Sequence, residues 1–306
     1  MVNTLVQDSY SPRTLLAYAR AWRRFRDFLT SLSLPDSIPV AREHIALHLA
    51  ALKKEGLAPS SIRSALSAIG WKHKMAGVPD PTRDFLLSRV MVGLQRARVH
   101  PPNRVRPITA DILHGILATL PGSESGPYLT KLLNAFFLLA YYGAFRVGEL
   151  CESGTLDHTI RIEDVALDQG EDGSSIELRL TSFKFSKGEA SCLLAPGGVG
   201  EHCPVRALTG YLAVRPKIPG PLFISEAGAP IRRAKVAAAL KRGVARLGLD
   251  ACHYNTHSLR VGRATDLAAA GAPEAIIRET GRWSSNAYLK YIRFKTFELP
   301  PPPLRG

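Results

Sequence analysis

Residues 255–293, NTHSLRVGRATDLAAAGAPEAIIRETGRWSSNAYLKYIR, are the stretch around which the rest of the chain is organised. They hold a His-x-x-Arg step at His257 and Arg260, a Gly-Arg-Trp step that ends at Trp283, and two tyrosines three residues apart. On a helix, residues three apart project from one face, so His257 and Arg260 can donate hydrogen bonds to a single anion. The spacing predicts an anion site that suits a phosphate.

Helix-forming and turn-forming residues alternate along the same stretch. The alanine-rich run after the His-x-x-Arg step predicts a helix that ends at Gly271, and Pro273 suits the first turn of a second helix. Beyond the Gly-Arg-Trp step, one of two serines can cap a third helix, which carries Tyr288 and Tyr291. We therefore expect three helices to converge on one point.

The charge of the chain indicates a polyanionic partner. The formal net charge is +14 over 306 residues, of which 45% are hydrophobic, as in a folded soluble protein. Sixteen of the 40 Lys and Arg residues, but only seven of the 26 Asp and Glu residues, lie at or before Arg104. The excess of positive charge favours DNA or RNA over a membrane surface and is greatest in the N-terminal third.

The cysteines indicate a reducing compartment. None of the four forms a C-x-x-C pair, which argues against a zinc ribbon and a disulfide framework. Two adjacent pairs, His202-Cys203 and Cys252-His253, could bind one metal ion together, but ordinary packing of these side chains is the favoured interpretation. We expect no metal and no cofactor. The sequence shows no signal peptide and no apolar run of membrane-spanning length, so an intracellular location is expected.

The N-terminal part predicts a domain of four helices over residues 1–99. Their expected ranges are 11–29, 41–55, 60–76 and 82–98. Taken alone, the arginine-rich first helix is most often a solvated face, but hydroxyl and basic groups at the helix ends also suit phosphate contacts. The candidate DNA-binding residues in this part and in the following linker are Arg13, Arg20, Arg24, Ser60, Arg63, Lys72, Lys74, Arg104 and Arg106.

Residues 100–107, HPPNRVRP, are basic and rich in proline and predict a linker to a second domain over residues 108–306. That domain begins with helical patterns, including an apolar helix from Tyr128 to Tyr142 that delivers Arg146 and Glu149 at its end. Strand-like alternation follows at 161–163, 175–180 and 191–195, and turn signals predict a small antiparallel sheet. The predicted fold class is therefore mainly α, with an all-α domain followed by a mostly helical α+β domain.

These elements together resemble the tyrosine recombinases, the phage-integrase-like enzymes that share a core with type IB topoisomerases. The resemblance rests on the order of Arg146, a lysine in a strand loop, the His-x-x-Arg step, Trp283 and a tyrosine followed by Ile-Arg. It spans nearly the whole chain, and the four N-terminal helices resemble the core-binding domain of that family. The sequence GRWSSNAYLKYIR looks most like the corresponding segment in recombinases of DIRS-like retrotransposons and related eukaryotic mobile elements.

The chemistry implied by the resemblance explains the residue types. Exchange at a phosphodiester passes through a state with extra negative charge, which a metal-free site must neutralise with fixed cations and donors. Arg146 and Arg260 suit this task because guanidinium forks match phosphate oxygens. His257 and the indole N–H of Trp283 add donors to the same group.

The remaining residues would make and break the bond. Tyr291 is the expected nucleophile and forms a covalent phosphotyrosine that stores the bond energy; Tyr288 is the alternative. Lys184 is the expected general acid for the leaving 5′-oxygen, ahead of Lys187, whose neighbouring glycine suits a solvated turn. Glu149 is expected to orient the arginine and the histidine.

The leading function is therefore a metal-independent, site-specific DNA recombinase that acts through a 3′-phosphotyrosine, for integration of a mobile element. Two alternatives are a topoisomerase-like nicking and closing enzyme and a DNA-binding protein that has lost catalysis. The expected partner is double-stranded DNA, on which the chain forms a homodimer or homotetramer, and no membrane partner is expected. The expected location is the nucleus in a eukaryotic host and otherwise the cytoplasm.

Overall fold

The fold is described from a computed structural model of the chain. The structure describes residues 6, 9–97, 105–121, 126–151, 159–170, 173–180, 190–194 and 202–293. The chain divides into two compact units, Met1–Pro102 and Asn103–Gly306. Among the described residues, no helix is long and apolar enough to cross a membrane.

The described residues of the first unit form helices and their connections, without a strand. Its helices are α1 (Pro12–Ser31), α2 (Arg42–Lys54), α3 (Pro59–Met75) and α4 (Phe85–Arg96). Each turns apolar side chains at helical spacing toward one shared core, which includes Phe25, Leu49, Ile69 and Leu87. The pattern read from the sequence therefore places the first three helices within one or two residues of their observed ends.

The fourth helix is shorter than predicted because a polar cap interrupts it. The predicted span 82–98 divides into a 3₁₀ turn at Pro81–Arg83 and helix α4. The Asp84 carboxylate accepts a hydrogen bond from the backbone N–H of Leu86 and so caps α4 from outside. An aspartate at this position competes with a continuous helix.

A histidine without polar partners lies in the core of this unit. His48 is 2% exposed, and both of its ring nitrogens are buried without a partner among the described residues. The rings of Phe25 and Phe28 lie 5.0 and 4.9 Å from its ring centre. Burial, followed by the nearby charge of Arg24, lowers the pKa of His48 to about 4. The folded unit therefore holds this imidazole neutral.

We expect His48 to make the stability of the protein depend on pH below neutrality. Its folded pKa lies below the unfolded value of about 6.5, so the unfolded chain binds a proton first as pH falls. Above pH 6.5 the neutral His48 makes its full contribution to the free energy of unfolding. As the pH falls from 6.5 to 4, the free energy of unfolding decreases by about 3 kcal/mol. Urea titrations of the whole chain, followed by tryptophan fluorescence, measure this loss.

The matched control is His48→Leu, which keeps an apolar side chain in the same place. This variant should lose less stability over the same pH interval. At pH 7 its free energy of unfolding should equal or exceed that of the unchanged protein, because the leucine buries no unpaired polar atom. Equal losses in both proteins between pH 6.5 and 4 would show that His48 is not the group responsible.

The second unit begins with α5 (Ala110–Ala118), α6 (Pro127–Tyr142) and the short α7 (Val147–Leu150). It continues with α8 (Pro204–Leu212), α9 (Arg233–Arg246), α10 (His257–Ala269) and α11 (Glu274–Gly281), and a 3₁₀ helix at Asn286–Lys290. Helix α6 is buried over most of its length and forms the centre of the core. The buried helix predicted from its apolar run is thus observed, and it leads directly into Arg146.

Three antiparallel strands form the sheet, in the order β1 (Val165–Gly170), β2 (Gly173–Leu180) and β3 (Ala190–Leu194). The register pairs Leu178 of β2 with Val165 on one side and Cys192 on the other. The prediction of a mainly helical protein with a small antiparallel sheet is confirmed. The predicted strand at 161–163 is wrong: these residues enter a 3₁₀ turn at Ile162–Asp164, where the Asp164 carboxylate accepts from the backbone N–H of Arg161.

The position of α10 is fixed by a close backbone contact. A Cβ at Gly262 would lie 1.7 Å from the carbonyl oxygen of Ile108, so only glycine allows this approach. The backbone N–H of Ile108 donates to the Ser258 carbonyl at 3.0 Å, and Asp266 accepts from Ala110 N–H and from the hydroxyl of Tyr141. Helix α10, with its His-x-x-Arg step, is therefore held rigidly against α5 and α6.

Candidate active site

Arg146 lies at the start of α7, where the buried α6 ends. Its backbone N–H and its Nη1 each donate to the Glu149 carboxylate at 2.9 Å. Glu149 is 3% exposed, and although burial opposes its charged form, Arg282 and Arg146 hold its pKa below the ordinary value. The expectation that Glu149 orients the arginine agrees with this geometry. No hydrogen bond joins Glu149 to His257 among the described residues.

Arg260 is fully buried, with 0% exposure. Its Nη1 donates to the carbonyl of Ala144 and its Nη2 to the carbonyl of Gly281. Its guanidinium carbon lies 4.4 Å from the centre of the Trp283 ring and 5.5 Å from that of Tyr291. Burial, followed by the charge of Arg146, lowers the pKa of this guanidinium below its ordinary value.

His257 occupies the first turn of α10, one turn before Arg260. His257 is an exposed residue, but the protein atoms around its ring, followed by the charges of three arginines, lower its pKa to about 4, which favours the neutral imidazole at pH 7. Those arginines are Arg260, Arg146 and Arg233. Its ring centre lies 5.1 Å from that of Tyr291. A neutral imidazole can donate from one nitrogen and accept a proton at the other.

Trp283 and Tyr291 close the site. Trp283 is 8% exposed, and its ring centre lies 5.0 Å from that of Tyr291. Its Nε1 is buried without a hydrogen-bond partner among the described residues, as is Nε of Arg260. A buried N–H without a partner costs free energy unless a ligand accepts from it. The site therefore presents donors in excess of what the described part of the protein accepts.

The structure separates the two candidate tyrosines. Tyr291 contacts His257, Arg260 and Trp283, whereas Tyr288 is buried in a small cluster with Ile277. Burial, followed by a hydrogen bond to Glu274, raises the pKa of Tyr288. The contacts favour Tyr291 over Tyr288 as the nucleophile.

The predicted third helix through both tyrosines is wrong. A 3₁₀ helix spans Asn286–Lys290, and Tyr291 follows its last residue. Ser285 is the capping serine of the two considered, because its hydroxyl accepts from the backbone N–H of Ala287. Tyr288 is buried within this short element, and Tyr291 caps its C-terminal end through a backbone N–H that donates to the Tyr288 carbonyl at 2.8 Å.

The backbone beyond Tyr291 is tethered to α10. The Thr265 hydroxyl accepts from the backbone N–H of Arg293 at 3.0 Å and donates to the Val261 carbonyl, with the Tyr291 carbonyl at 3.4 Å. Thr265 is 6% exposed. The same helix therefore carries His257 and Arg260 and holds the segment that presents Tyr291.

Lys184 and Lys187 lie outside the described residues, as does Arg104. Strands β2 and β3, which the structure does describe, end at Leu180 and begin at Ala190, and both lysines lie in the sequence between these two residues. The choice between the two lysines stays a prediction.

The candidate DNA-binding residues of the first unit lie on its surface. Arg13, Arg20 and Arg24 share one face of α1, since they are seven and four residues apart. Arg24 forms an ion pair with Glu55, and Lys74 forms one with Asp80. The exposed pair of Arg24 is weak and leaves this cation able to change partners, whereas Lys74 pairs with a carboxylate that is only 10% exposed. The other candidates in described parts of the chain are Ser60, Arg63 and Arg106, which are exposed, and Lys72, which is half-buried.

Among the described residues, one group could hold a metal ion: Asp250, Cys252 and His253. The Asp250 carboxylate already accepts from the backbone N–H and the thiol of Cys252. These hydrogen bonds lower the pKa of Asp250 most, and the charge of Arg106 lowers it further. Asp250 therefore caps a turn, and both of its carboxylate oxygens already accept hydrogen bonds from Cys252.

Two arginines near the site were not assigned a role from the sequence. Arg282 pairs with Glu149 at 2.9 Å, and the exposed Arg233 contributes to the lowered pKa of His257. The position of Arg282 between Gly281 and Trp283 in the sequence indicated that it lies near the site. The direction of its side chain depends on a backbone angle that residue types do not reveal. Arg233 begins α9, far in sequence from the other site residues.

Two family models match the chain. The model of the phage integrase family matches residues 108–293, and the model of the phage integrase N-terminal SAM-like domain matches residues 3–73. Among characterised relatives, the tyrosine recombinase XerC of Halalkalibacterium halodurans is 23% identical over 285 residues, which cover 90% of this chain and 84% of the relative.

Solved structures show the same fold. The XerH recombinase in a post-cleavage complex with its palindromic difH substrate superposes with a TM-score of 0.64 at 16% identity, over 90% of this chain and 74% of that chain. A lambda integrase tetramer bound to a Holliday junction superposes with a TM-score of 0.61 at 17% identity, over 95% of this chain and 74% of that chain.

Proposed function

Because the chain belongs to the phage integrase family of tyrosine recombinases, we propose that its site performs site-specific DNA recombination through a covalent 3′-phosphotyrosine. The observation that carries this proposal is the convergence of Arg260, His257 and Trp283 on the ring of Tyr291. Arg146 lies close enough for its charge to lower the pKa of His257. A DNA-binding protein without catalysis needs positive charge but not this arrangement around a tyrosine.

We assign a task to each group from the contacts around Tyr291 and, for Lys184, from the family resemblance. The guanidinium groups of Arg146 and Arg260 neutralise the charge that grows on the phosphate oxygens, and the unpaired N–H of Trp283 donates to the same phosphate. Neutral His257 is suited to donate to the phosphate or to take the tyrosine proton as the attack begins. Tyr291 forms the new P–O bond, and the 5′-oxygen leaves with a proton that we assign to Lys184.

The proposed partner is double-stranded DNA. We assign residues 1–99 to a helical DNA-binding domain, 100–107 to a linker and 108–306 to the catalytic domain. The surface arginines of α1 support the first assignment, because phosphate contacts give affinity without depending on base sequence. Assembly as a dimer or tetramer on DNA is supported by the fold shared with the lambda integrase tetramer on a Holliday junction.

The wording of residues 281–293, GRWSSNAYLKYIR, supports a narrower proposal. We assign the chain to a mobile element of the DIRS-like type, where it would integrate element DNA into a host chromosome, in the nucleus of a eukaryotic host. Incubation with circular element DNA and a target plasmid tests this narrower assignment, and its expected product is a junction between the two molecules without loss of nucleotides.

Cleavage is expected to proceed without divalent metal, because arginines and other fixed donors already supply the positive charge that a metal ion would. The measurement is the rate of covalent adduct formation on a nicked suicide substrate, with magnesium and with excess EDTA. The two rates should agree within about twofold once ionic strength is matched, since DNA binding itself depends on salt. A strict requirement for magnesium in the cleavage step would contradict the mechanism.

A further inference from the structure

Arg282 contacts the segment that carries Arg146 at three places. Its Nη2 donates to Glu149 at 2.9 Å, and its Nη1 donates to the Gly143 carbonyl at 3.1 Å. Its guanidinium carbon lies 4.5 Å from the centre of the Phe145 ring. The side chain is only 8% exposed, so these contacts are made away from water. One side chain thus joins the Gly-Arg-Trp step to the whole loop before α7.

The backbone at Arg282 is in the left-handed region, with φ +53° and ψ +47°. Glycine adopts this conformation at no steric cost, whereas other residues lose about 1 kcal/mol or more. The glycine of this step stands one position earlier, at Gly281, where a Cβ would lie 1.8 Å from the Trp283 ring. The left-handed turn therefore sends the side chains of residues 282 and 283 to different partners: Arg282 to Glu149, and Trp283 to Arg260 and Tyr291.

Glu149 needs this partner. It is a buried carboxylate, and the attraction of Arg282 is the largest of the effects that keep it charged against the cost of burial. If the Arg146 side chain turns toward a phosphate, Glu149 still has a cationic partner in Arg282. A buried carboxylate without a cation is costly and would draw Arg146 back to itself.

We infer that Arg282 is a positioning residue for DNA strand cleavage, which acts through Glu149 and the loop of residues 143–145 to hold Arg146 in place for the scissile phosphate. This role rests on the proposed function, because it presupposes that Arg146 neutralises a phosphate. We assign Arg282 no direct contact with the reacting atoms, since its Nη1 and Nη2 already donate to protein oxygens. Its Nε is buried without a partner among the described residues.

The test compares single-turnover adduct formation by three forms of the full-length protein. Arg282→Met keeps most of the apolar length without the charge. Arg278→Met removes a half-exposed arginine of α11, the helix that ends just before Arg282, where it pairs with Glu274. We expect adduct formation by Arg282→Met to slow about 100-fold with DNA affinity within about twofold, because small displacements of a catalytic group have effects of this order. Arg278→Met should cleave at the unchanged rate.

A second substrate distinguishes positioning from a general loss of structure. A methylphosphonate at the scissile position carries no negative charge, so cleavage depends less on Arg146. The defect of Arg282→Met should shrink to less than about tenfold on this substrate. An equal defect on both substrates, or a rate like that of Arg278→Met on the phosphodiester, would overturn the inference.

If Arg282→Met does not fold, the double variant Glu149→Gln with Arg282→Met removes the uncompensated charge and keeps the test available. It should fold and still cleave the phosphodiester about 100-fold more slowly than the unchanged protein, because both groups that position Arg146 have been removed. Cleavage by the double variant at the unchanged rate would overturn the inference. Absence of any adduct with the unchanged protein would instead overturn the proposed function.

Discussion

Replacing Tyr291 with phenylalanine abolishes covalent adduct formation while DNA binding stays unchanged. The reason is that one phenolic oxygen supplies the new bond to phosphorus, and the ring of Tyr291 is the one that contacts His257, Arg260 and Trp283. Loss of a nucleophile lowers the rate by about 10⁴-fold or more. The measurement is adduct yield on a suicide substrate, resolved by denaturing gel, with affinity from a mobility shift.

Tyr288→Phe is the matched control, since it removes the same atom three residues earlier. Tyr288 is 6% exposed and its hydroxyl interacts with Glu274, so its loss should loosen packing and lower the rate by less than about tenfold. An adduct that survives Tyr291→Phe but not Tyr288→Phe would show that the nucleophile lies one turn earlier than its contacts indicate.

Replacing Lys184 with alanine should slow cleavage of a normal phosphodiester by about 10³-fold, the range expected for loss of a general acid. The defect should nearly vanish when the leaving 5′-oxygen is replaced by sulfur, because a thiolate departs without needing a proton. The measurement is the ratio of the rates on the two substrates, which isolates proton donation from binding.

Lys187→Ala provides the comparison, since this lysine lies in the same loop of the sequence. It should cleave both substrates at rates near those of the unchanged protein. If Lys184→Ala slows both substrates equally and Lys187→Ala shows rescue by sulfur, the general acid is Lys187.

The helical framework of the site was predictable because its signals are local. The buried α6 follows from a long apolar run, and the position of α10 follows from the alanine-rich run after His257. The turn at Gly271 has a φ of +73°, as expected for a glycine at a helix end. Spacing of three along a helix placed His257 beside Arg260, and family resemblance supplied the order of the remaining residues.

The parts that could not be predicted depend on packing between distant residues. Tyr288 and Tyr291 carry the same chemistry, and burial of Tyr288 against Trp283 and Ile277 decides which of them turns toward His257. The ion pair between Glu149 and Arg282 joins residues 133 positions apart and depends on a left-handed backbone at a non-glycine residue. Neither helix propensity nor hydrophobic periodicity predicts a contact between residues so far apart in the sequence.

The most direct test of the account is peptide mapping of the adduct that the unchanged protein forms with a nicked duplex. We expect a phosphotyrosyl link between Tyr291 and a 3′-phosphate, with a free 5′-hydroxyl on the released strand. A link to Tyr288 or to a 5′-phosphate, or no adduct on any DNA that the protein binds, would contradict it.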